Sequence, residues 1–164
     1  MADHTDPFSP PGVEWTPVSP RLIGVRLVSA GISALVIAVV VLVAAAVSGW
    51  APLWLGLLVP ALGMAFAVLV VRSRVRAWGY AEREEDLLVR RGVLFRSLTV
   101  VPYGRMQYVD VNAGPLDRLF GVSAVQLHTA SAATDATIPG LVPAEAARLR
   151  DRLTALGQVQ LAGL

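Results

Sequence analysis

Residues of the types needed for nucleophilic catalysis occur in this chain, but nothing in the sequence groups them into a set. Such a set needs a nucleophile, a general base and an acid that orients the base. Ser97, His128 and Asp110 are residues of these three types. No local motif marks any of them as part of a reacting group. We therefore predict that the chain is not an enzyme and has no catalytic residue.

Metal and cofactor sites are not indicated either. Glu84, Glu85 and Asp86 are consecutive carboxylates, and such a run is more typical of a solvated turn than of an acid–base pair. His4 and His128 are isolated, whereas a metal site needs several ligands that converge. The glycines are spaced as turn residues and not as a phosphate-binding loop. We predict no metal and no cofactor.

The charged residues exclude further classes of protein. All 14 basic residues are arginine, and the net charge is only +2, which is too small to indicate nucleic-acid binding. The chain has no cysteine, which excludes disulfides and thiolate chemistry. We predict no nucleic-acid partner.

A long apolar segment is the first structural element that the sequence indicates. Residues 27–71 form a run of 45 positions without a charged residue. A single helix of that length would measure about 68 Å against a hydrocarbon core of about 30 Å, so the run must fold back. Gly49, Trp50 and Pro52 mark the turn. The sequence therefore predicts a transmembrane hairpin within residues 21–76, with its two spans at residues 27–47 and 53–71.

Arginines flank both predicted spans and indicate their orientation. Cytoplasmic flanks of membrane spans carry an excess of basic residues, and the turn between these spans has none. The flanking residues are Arg21 and Arg26 before the first span and Arg72, Arg74 and Arg76 after the second. We expect both termini in the cytoplasm and these arginines at the membrane surface, against the lipid headgroups. A signal peptide is the competing interpretation, since residues 44–46 are all alanine, but about 26 residues with acidic members precede the span.

The N-terminal residues 1–20 contain five prolines, which is typical of an extended segment without a core of its own. Two interpretations remain open. The segment is a flexible cytoplasmic tail, or Phe8 and Trp15 dock on the membrane interface or on the C-terminal domain.

Residues 77–157 show short apolar runs separated by turn residues, a pattern typical of antiparallel β structure. The predicted strands are 78–81, 87–90, 93–101, 106–111, 124–129 and 136–138. Pro143 predicts the start of an amphipathic helix that ends near Gly157, which leaves residues 158–164 as a short tail. We predict an α+β, mostly β fold: a small, partly open barrel with a helix across one end.

Three segments of this domain carry a family resemblance. They read VRRGVL (89–94), VPYGRMQYVDV (101–111) and GPLDRLFGV (114–122), and they occur in the order and spacing of the bacterial pleckstrin-homology-like (PH-like) domain family of small membrane proteins. The resemblance, with the two spans, covers about residues 20–155. The motif positions, for which it implies mainly structural roles, are Gly92, Pro102, Arg105, Gln107, Gly114, Pro115, Leu116, Arg118 and Gly121. Arg105 and Arg118 are expected to form caps or to pair with Asp110 and Asp117.

The resemblance implies a seven-stranded PH-like barrel with a C-terminal helix at the bacterial cytoplasmic membrane, and it supplies no ligand site. PH domains that bind phosphoinositides use basic residues around the first strand–strand loop. The corresponding residues 82–86 are mostly acidic here and would repel anionic headgroups, which argues against inositol-lipid binding by that mode.

Two hypotheses for function follow. The first is a membrane-tethered binding or scaffold module that recognises a protein, either another copy of the chain or a second PH-like membrane protein. The alternative is contact with anionic lipids of the bilayer, or a role in membrane integrity under envelope stress.

Overall fold

The computed structural model describes residues 10, 12–49, 51–131 and 134–162. Three residues named above, His4, Phe8 and Trp50, lie outside this part of the chain.

Two long apolar helices form a hairpin. They are α1 (Arg21–Ser48) and α2 (Leu58–Arg76), joined by a 3-10 helix over Ala51–Leu57. Gly49 ends α1 in the left-handed conformation, with φ +63°, and donates its N–H to the Ala45 carbonyl. Both helices are long and apolar enough to cross a membrane, and most of their side chains are exposed. Exposed leucines and valines in such numbers are expected where lipid is the solvent.

The hairpin helices extend beyond the predicted spans at the end that carries the arginines. α1 begins six residues before residue 27, and its Leu22 and Val25 are buried against the C-terminal domain. α2 continues to Arg76, and Val75 is buried in the same core. Arginine is a good helix former, so the charges that end the apolar run do not end the helices.

The first sheet has four antiparallel strands in sequence order. They are β1 (Thr16–Pro17), β2 (Gly79–Glu82), β3 (Asp86–Arg91) and β4 (Ser97–Pro102). β1 comes from the segment before the hairpin, and Thr16 pairs with Tyr80. Val18 is buried in the core, and the Arg90 guanidinium lies 4.4 Å from the centre of the Trp15 ring. The expectation of a free tail up to residue 20 is therefore wrong for residues 15–18, where docking of Trp15 on the domain is observed.

The predicted strand 93–101 is too long at its start. β4 begins at Ser97, and residues 92–96 form a loop. Gly92 has φ +97°, and a Cβ at this position would collide with the Phe95 carbonyl oxygen. The chain therefore turns at Gly92, and the apolar side chains that follow do not enter the sheet.

The second sheet has three antiparallel strands: β5 (Met106–Asn112), β6 (Ser123–Thr129) and β7 (Ala136–Leu141). A 3-10 turn over Tyr103–Arg105 leads into β5, and a short helix, α3 (Pro115–Phe120), connects β5 to β6. Among the described residues no strand pairing joins the two sheets, so the barrel is open.

The C-terminal helix α4 spans Pro143–Ala162 and packs against β5 and β6. Its Leu149 and Leu153 are fully buried with Leu87, Val101 and Leu127 of the sheets. The predicted end near Gly157, and with it the tail from residue 158, is wrong. Gly157 is an interior helix position beside the 3-10 turn and the start of β5, and a Cβ there would make ordinary contact, 3.8 Å from Met106 Cε. The predicted architecture is confirmed: an apolar two-helix hairpin followed by a mostly β, partly open barrel with a C-terminal helix.

Candidate functional site

The C-terminal domain is attached to the arginine-bearing end of the hairpin on two sides, and the first attachment joins α3 to α1. Gly24 of α1 faces the Phe120 ring so closely that a Cβ at Gly24 would lie 2.5 Å from Phe120 Cε1. Leu22, two residues earlier in α1, packs under Gly140 of β7, where a Cβ would lie 2.8 Å from the Leu22 Cβ. Beside this contact, the Leu119 side chain is 76% exposed. α3 therefore presents an apolar side chain next to the membrane-spanning segment.

The second attachment is covalent, because α2 continues into β2 through residues 77 and 78, and beside this connection α2 faces the loop of residues 92–96. These two elements line an open groove of about 540 Å³. Phe66, Leu69 and Val70 of α2 form one wall, and Leu94 and Phe95 of the loop form the other. Arg74 and Arg91 also line it. Leu94 and Phe95 are 87% and 88% exposed, so the loop carries its apolar side chains outward, beside the hairpin.

Acidic residues lie at the opposite end of the barrel. β3 connects the acidic turn, where Glu84 and Glu85 are exposed, to the loop that lines the groove. A strand of six residues is about 17–20 Å long, so the two ends are well separated. The groove therefore has apolar and basic side chains in its lining, and the carboxylates of Glu84 and Glu85 lie away from it.

The arginines that flank the two predicted spans differ in their surroundings at this end of the hairpin. Arg26 of α1 and Arg74 of α2 line the same cleft between the two helices, together with Trp78. Arg21 is the first residue of α1, and its Nη1 lies 3.3 Å from the position of a Cβ on Gly121. Two further members of the predicted set, Arg72 and Arg76, are exposed on the last turns of α2.

The motif glycines and prolines act mainly through the backbone. Gly114 precedes α3 and donates its N–H to Asp117 Oδ2 at 3.0 Å, and Pro115 is the first residue of that helix. Gly121 ends α3 with φ +63°. Leu116 packs against the core. The remaining positions are Gly92 in the loop, Pro102 at the end of β4, and Gln107 at the bulge in β5.

The motif arginines do not form the expected pairs. Asp117 accepts the Gly114 N–H, and Asp110 Oδ2 lies 3.7 Å from His128 Nε2. Arg105 contributes its carbonyl, which accepts the N–H of Ala130, and Arg118 lies exposed on α3.

His128 is the centre of a small polar cluster on the outer face of the second sheet. The Tyr108 ring stacks on it at 4.3 Å, and Asp135 Oδ2 lies 3.4 Å from His128 Nδ1. Asp110 completes the cluster on Nε2. Ser97 lies in the first sheet, where its Oγ accepts a hydrogen bond from Arg91 Nε at 3.1 Å. The structure therefore brings the base and the acid together but not the nucleophile.

A second polar network, which the sequence did not reveal, joins α4 to β2. The Tyr80 hydroxyl donates to Glu145 Oε1 at 2.6 Å, and Arg148 Nη2 bridges Glu145 and Glu82. The hydrogen bond from Arg148 lowers the pKa of Glu145, while burial and the hydrogen bond to Glu145 raise the pKa of Tyr80. Arg152 Nε lies 2.9 Å from Glu82 Oε2. The two groups form an ion pair, but their angles are not those of a hydrogen bond. The spacing of Glu145 and Arg148 on one helix was the available signal.

β5 is a largely exposed edge strand of the second sheet. Five of its seven side chains are exposed, and it pairs with β6 alone among the described strands. Tyr108 is 53% exposed, and Val111 is also open to solvent although it lies on the core side of the sheet. Native edge strands are usually short, charged or covered. In β5 these protections are limited to the charge of Asp110, the bulge between Met106 and Tyr108 and the cover that α4 provides near Met106, so the rest of its edge is open.

Within the described residues, no group of three or more histidine, aspartate or glutamate side chains is placed to hold a metal ion. The Asp110 and Asp135 carboxylates lie close to the two ring nitrogens of His128, and the aromatic neighbour Tyr108 gives this face both apolar and polar groups.

Comparison with known proteins places the chain among membrane proteins. The family model described as "Bacterial PH domain" matches residues 20–156, which include both hairpin helices and the barrel. The UPF0699 transmembrane protein YdbS of Bacillus subtilis (strain 168) is 33% identical over 99 residues, which are 60% of this chain and 61% of that protein. The aligned part thus spans about three-fifths of the length of that relative. No solved structure matches the chain.

Proposed function

The chain belongs to the bacterial PH domain family, and on this premise we propose that it is a membrane-tethered binding module that accepts an extended segment of a partner protein along β5. The single observation that carries the proposal is the free edge of β5, with exposed side chains on both faces of the strand. Addition of a strand to such an edge gives affinity through the backbone and specificity through alternate side chains.

The proposal includes a topology with both termini in the cytoplasm. It is supported by the arginines at one end of the hairpin, because basic residues accumulate on the cytoplasmic flanks of spans. In this topology the domain rests on the inner leaflet, and its acidic end points into the cytoplasm.

The direction of β5 favours another protein over a second copy paired through the same strand. β5 starts near Tyr103, whose N–H bonds the carbonyl of Glu85 in the acidic turn. It ends before α3, which contacts α1. β5 therefore runs from the cytoplasmic end of the barrel toward the membrane. Two copies in one membrane would hold this strand in the same direction, whereas pairing of identical edges requires antiparallel strands.

An extended segment of a different protein has no such restriction. It can run antiparallel to β5 and place alternate side chains against Val109 and Val111 on one face and Tyr108 on the other. Asp110, beside His128, would favour a basic residue on the partner at the neighbouring position. A second PH-like membrane protein fits this role if it offers such a segment.

The experiment is site-specific photo-crosslinking in native membranes with the full chain. A photoreactive residue at Tyr108 or Asn112 should capture a protein, and mass spectrometry should place the crosslink in an extended segment of it. The matched control is the same residue at Glu84, which is exposed but lies in the acidic turn.

The second measurement is amide hydrogen exchange on the isolated complex, in which residues 108–112 should become protected. Capture from Glu84 as efficient as capture from Tyr108, or a complex without protection of β5, would overturn the proposal. A protein that purifies in mild detergent as a strict monomer with no partner counts against it as well.

A further inference from the structure

The loop of residues 92–96 is unusual for a loop of a water-soluble domain. It carries three consecutive apolar side chains, Val93, Leu94 and Phe95, and all three are exposed. The turn at Gly92 is rigid, because its φ of +97° and its contact with the Phe95 backbone leave room for glycine alone. The outward direction of these side chains is therefore built into the fold.

The loop lies beside the apolar part of α2. Phe66 and Leu69 line the same groove as Leu94 and Phe95, and both are exposed on the outer side of the helix. At 1.5 Å per residue, Phe66 lies about 12 Å from Arg74 toward the interior of the span. The groove therefore extends from the level of Arg74 toward the middle of the apolar helix, with the loop beside α2.

The groove has basic groups at the level of the headgroups. Arg74 and Arg91 line it, and Ser73 and Trp78 are their neighbours in the lining. Arg91 uses Nε to bond Ser97 Oγ, which leaves its Nη groups for another acceptor. Among the residues that the structure describes, no carboxylate forms an ion pair with Arg74 or Arg91. A tryptophan at this level is typical of the membrane interface.

We propose that this groove binds one anionic phospholipid of the leaflet at the arginine-bearing end. An acyl chain lies between α2 and the loop, against Phe66, Leu69 and Phe95. The phosphate lies between the guanidinium groups of Arg74 and Arg91, which match its geometry and charge. The groove volume of about 540 Å³ is within the usual range of about 300–1,000 Å³ for small-molecule sites.

Two features favour a lipid over an apolar segment of a protein as the occupant. The wall formed by α2 faces the bilayer, so lipid is the molecule already in contact with it. The arginines at the rim complement a phosphate, whereas an apolar protein segment would leave them desolvated and without a counter-charge. The acidic turn lies at the far end of β3 and does not oppose an anion here.

The first experiment measures lipid retention by native mass spectrometry on the full chain. The protein is released from mixed micelles that contain equal amounts of phosphatidylglycerol and phosphatidylcholine. The wild type is expected to retain one phosphatidylglycerol at least tenfold more often than phosphatidylcholine. Arg74→Gln and Arg91→Gln should each reduce this preference to less than threefold. Arg76→Gln, which removes an arginine of the same helix end that does not line the groove, should leave it unchanged.

The second experiment tests the position of the loop independently of any lipid preference. The chain has no cysteine, so Phe95→Cys gives a single site for a nitroxide label. In vesicles of phosphatidylglycerol and phosphatidylcholine the label should be accessible to oxygen and protected from a water-soluble nickel complex. The matched control Glu84→Cys should show the reverse.

Two results would overturn the proposal. The first is equal retention of the two lipids by the wild type. The second is a label at residue 95 that is as accessible to the nickel complex as one at residue 84. A dimer that buries the label at residue 95 and retains no lipid would show instead that protein covers the groove.

Discussion

Gly24 and Phe120 are in contact where the first hairpin helix meets the short helix α3, and no side chain larger than that of glycine fits between them. This contact, with Leu22 under Gly140, fixes the barrel at one distance from the hairpin. The contact joins the part of α1 between Arg21 and Arg26 to the GPLDRLFG segment of residues 114–121. Phe120 supplies this contact from within that segment.

We expect Gly24→Ala to weaken this attachment. The new methyl group would displace the Phe120 ring at a cost of about 1–3 kcal/mol, as for other overpacked cores. The measurement is the thermal midpoint in detergent together with amide exchange of α3. Gly31→Ala is the control, since a Cβ there meets nothing within 4 Å and alanine is the better helix former. Equal effects of the two substitutions would contradict the conclusion that the Gly24–Phe120 contact holds α3 against α1.

Gly92→Ala should lower the free energy of unfolding more than the same change at a glycine whose only constraint is a positive φ. A Cβ on Gly92 collides with backbone atoms of Phe95, which no side-chain rotation relieves. We expect a loss of more than about 2 kcal/mol, since an unfavourable φ alone costs about 1–3 kcal/mol. Gly49→Ala isolates the φ contribution, because φ is +63° and the space around it is empty. A loss no larger than that of Gly49→Ala would show that the loop adapts.

The network between β2 and α4 predicts a pH dependence of stability. The pKa of Glu145 is lower in the folded protein than its ordinary value of 4.5. The stabilisation of the folded protein by ionised Glu145 is therefore complete above pH 4.5, and it is lost as the pH falls through the pKa of Glu145 in the folded state. Both partners are partly exposed, so we expect a contribution of no more than about 1 kcal/mol.

The measurement is a series of unfolding midpoints from neutral to acidic pH for the wild type and Glu145→Gln. The variant should lose part of the acid dependence. Asp151→Asn is the control, because its ion pair with Arg150 lies on the exposed face of the same helix. An unchanged acid slope in Glu145→Gln would refute the role of this carboxylate.

Two buried tyrosines should respond differently to loss of their hydroxyl groups. Tyr80 donates to the charged Glu145, whereas Tyr103 donates to the neutral carbonyl of Arg83 at 2.9 Å. Hydrogen bonds to charged groups contribute about 1.5–3 kcal/mol and neutral ones about 0.5–1.5 kcal/mol. Tyr80→Phe should therefore lower the free energy of unfolding more than Tyr103→Phe. Chemical denaturation of both variants under one set of conditions measures the two losses in free energy of unfolding. A larger loss for Tyr103→Phe than for Tyr80→Phe would contradict the prediction.

Local signals in the sequence were sufficient for part of this fold. The charge-free run gives the hairpin, and the alternation of residues 106–111 and 124–129 gives two strands at nearly their observed positions. These signals depend on neighbours along the chain, and the three motif segments of residues 89–122 support them.

What the sequence did not predict depends on contacts between distant segments. Thr16 forms a strand because Tyr80 is available beyond the hairpin, and a proline-rich context gives no sign of it. Leu94 and Phe95 were assigned to a strand because apolar runs outside a span usually enter a core, whereas here they lie beside another part of the apolar hairpin. Gly157 predicts the end of its helix, but α4 continues to Ala162, with Gly157 packed beside the 3-10 turn and Met106.

The pairing of β1 with β2 has a consequence for how the protein is made. The two strands lie on either side of the hairpin in the sequence, and Pro17 pairs with Gly79. In the proposed topology the chain enters the bilayer and returns to the same side, so the two strands can meet. If a single helix inserted, β1 and β2 would be separated by the membrane, and the first sheet would lack its edge strand. In that topology, completion of the first sheet excludes a product in which one helix alone was inserted.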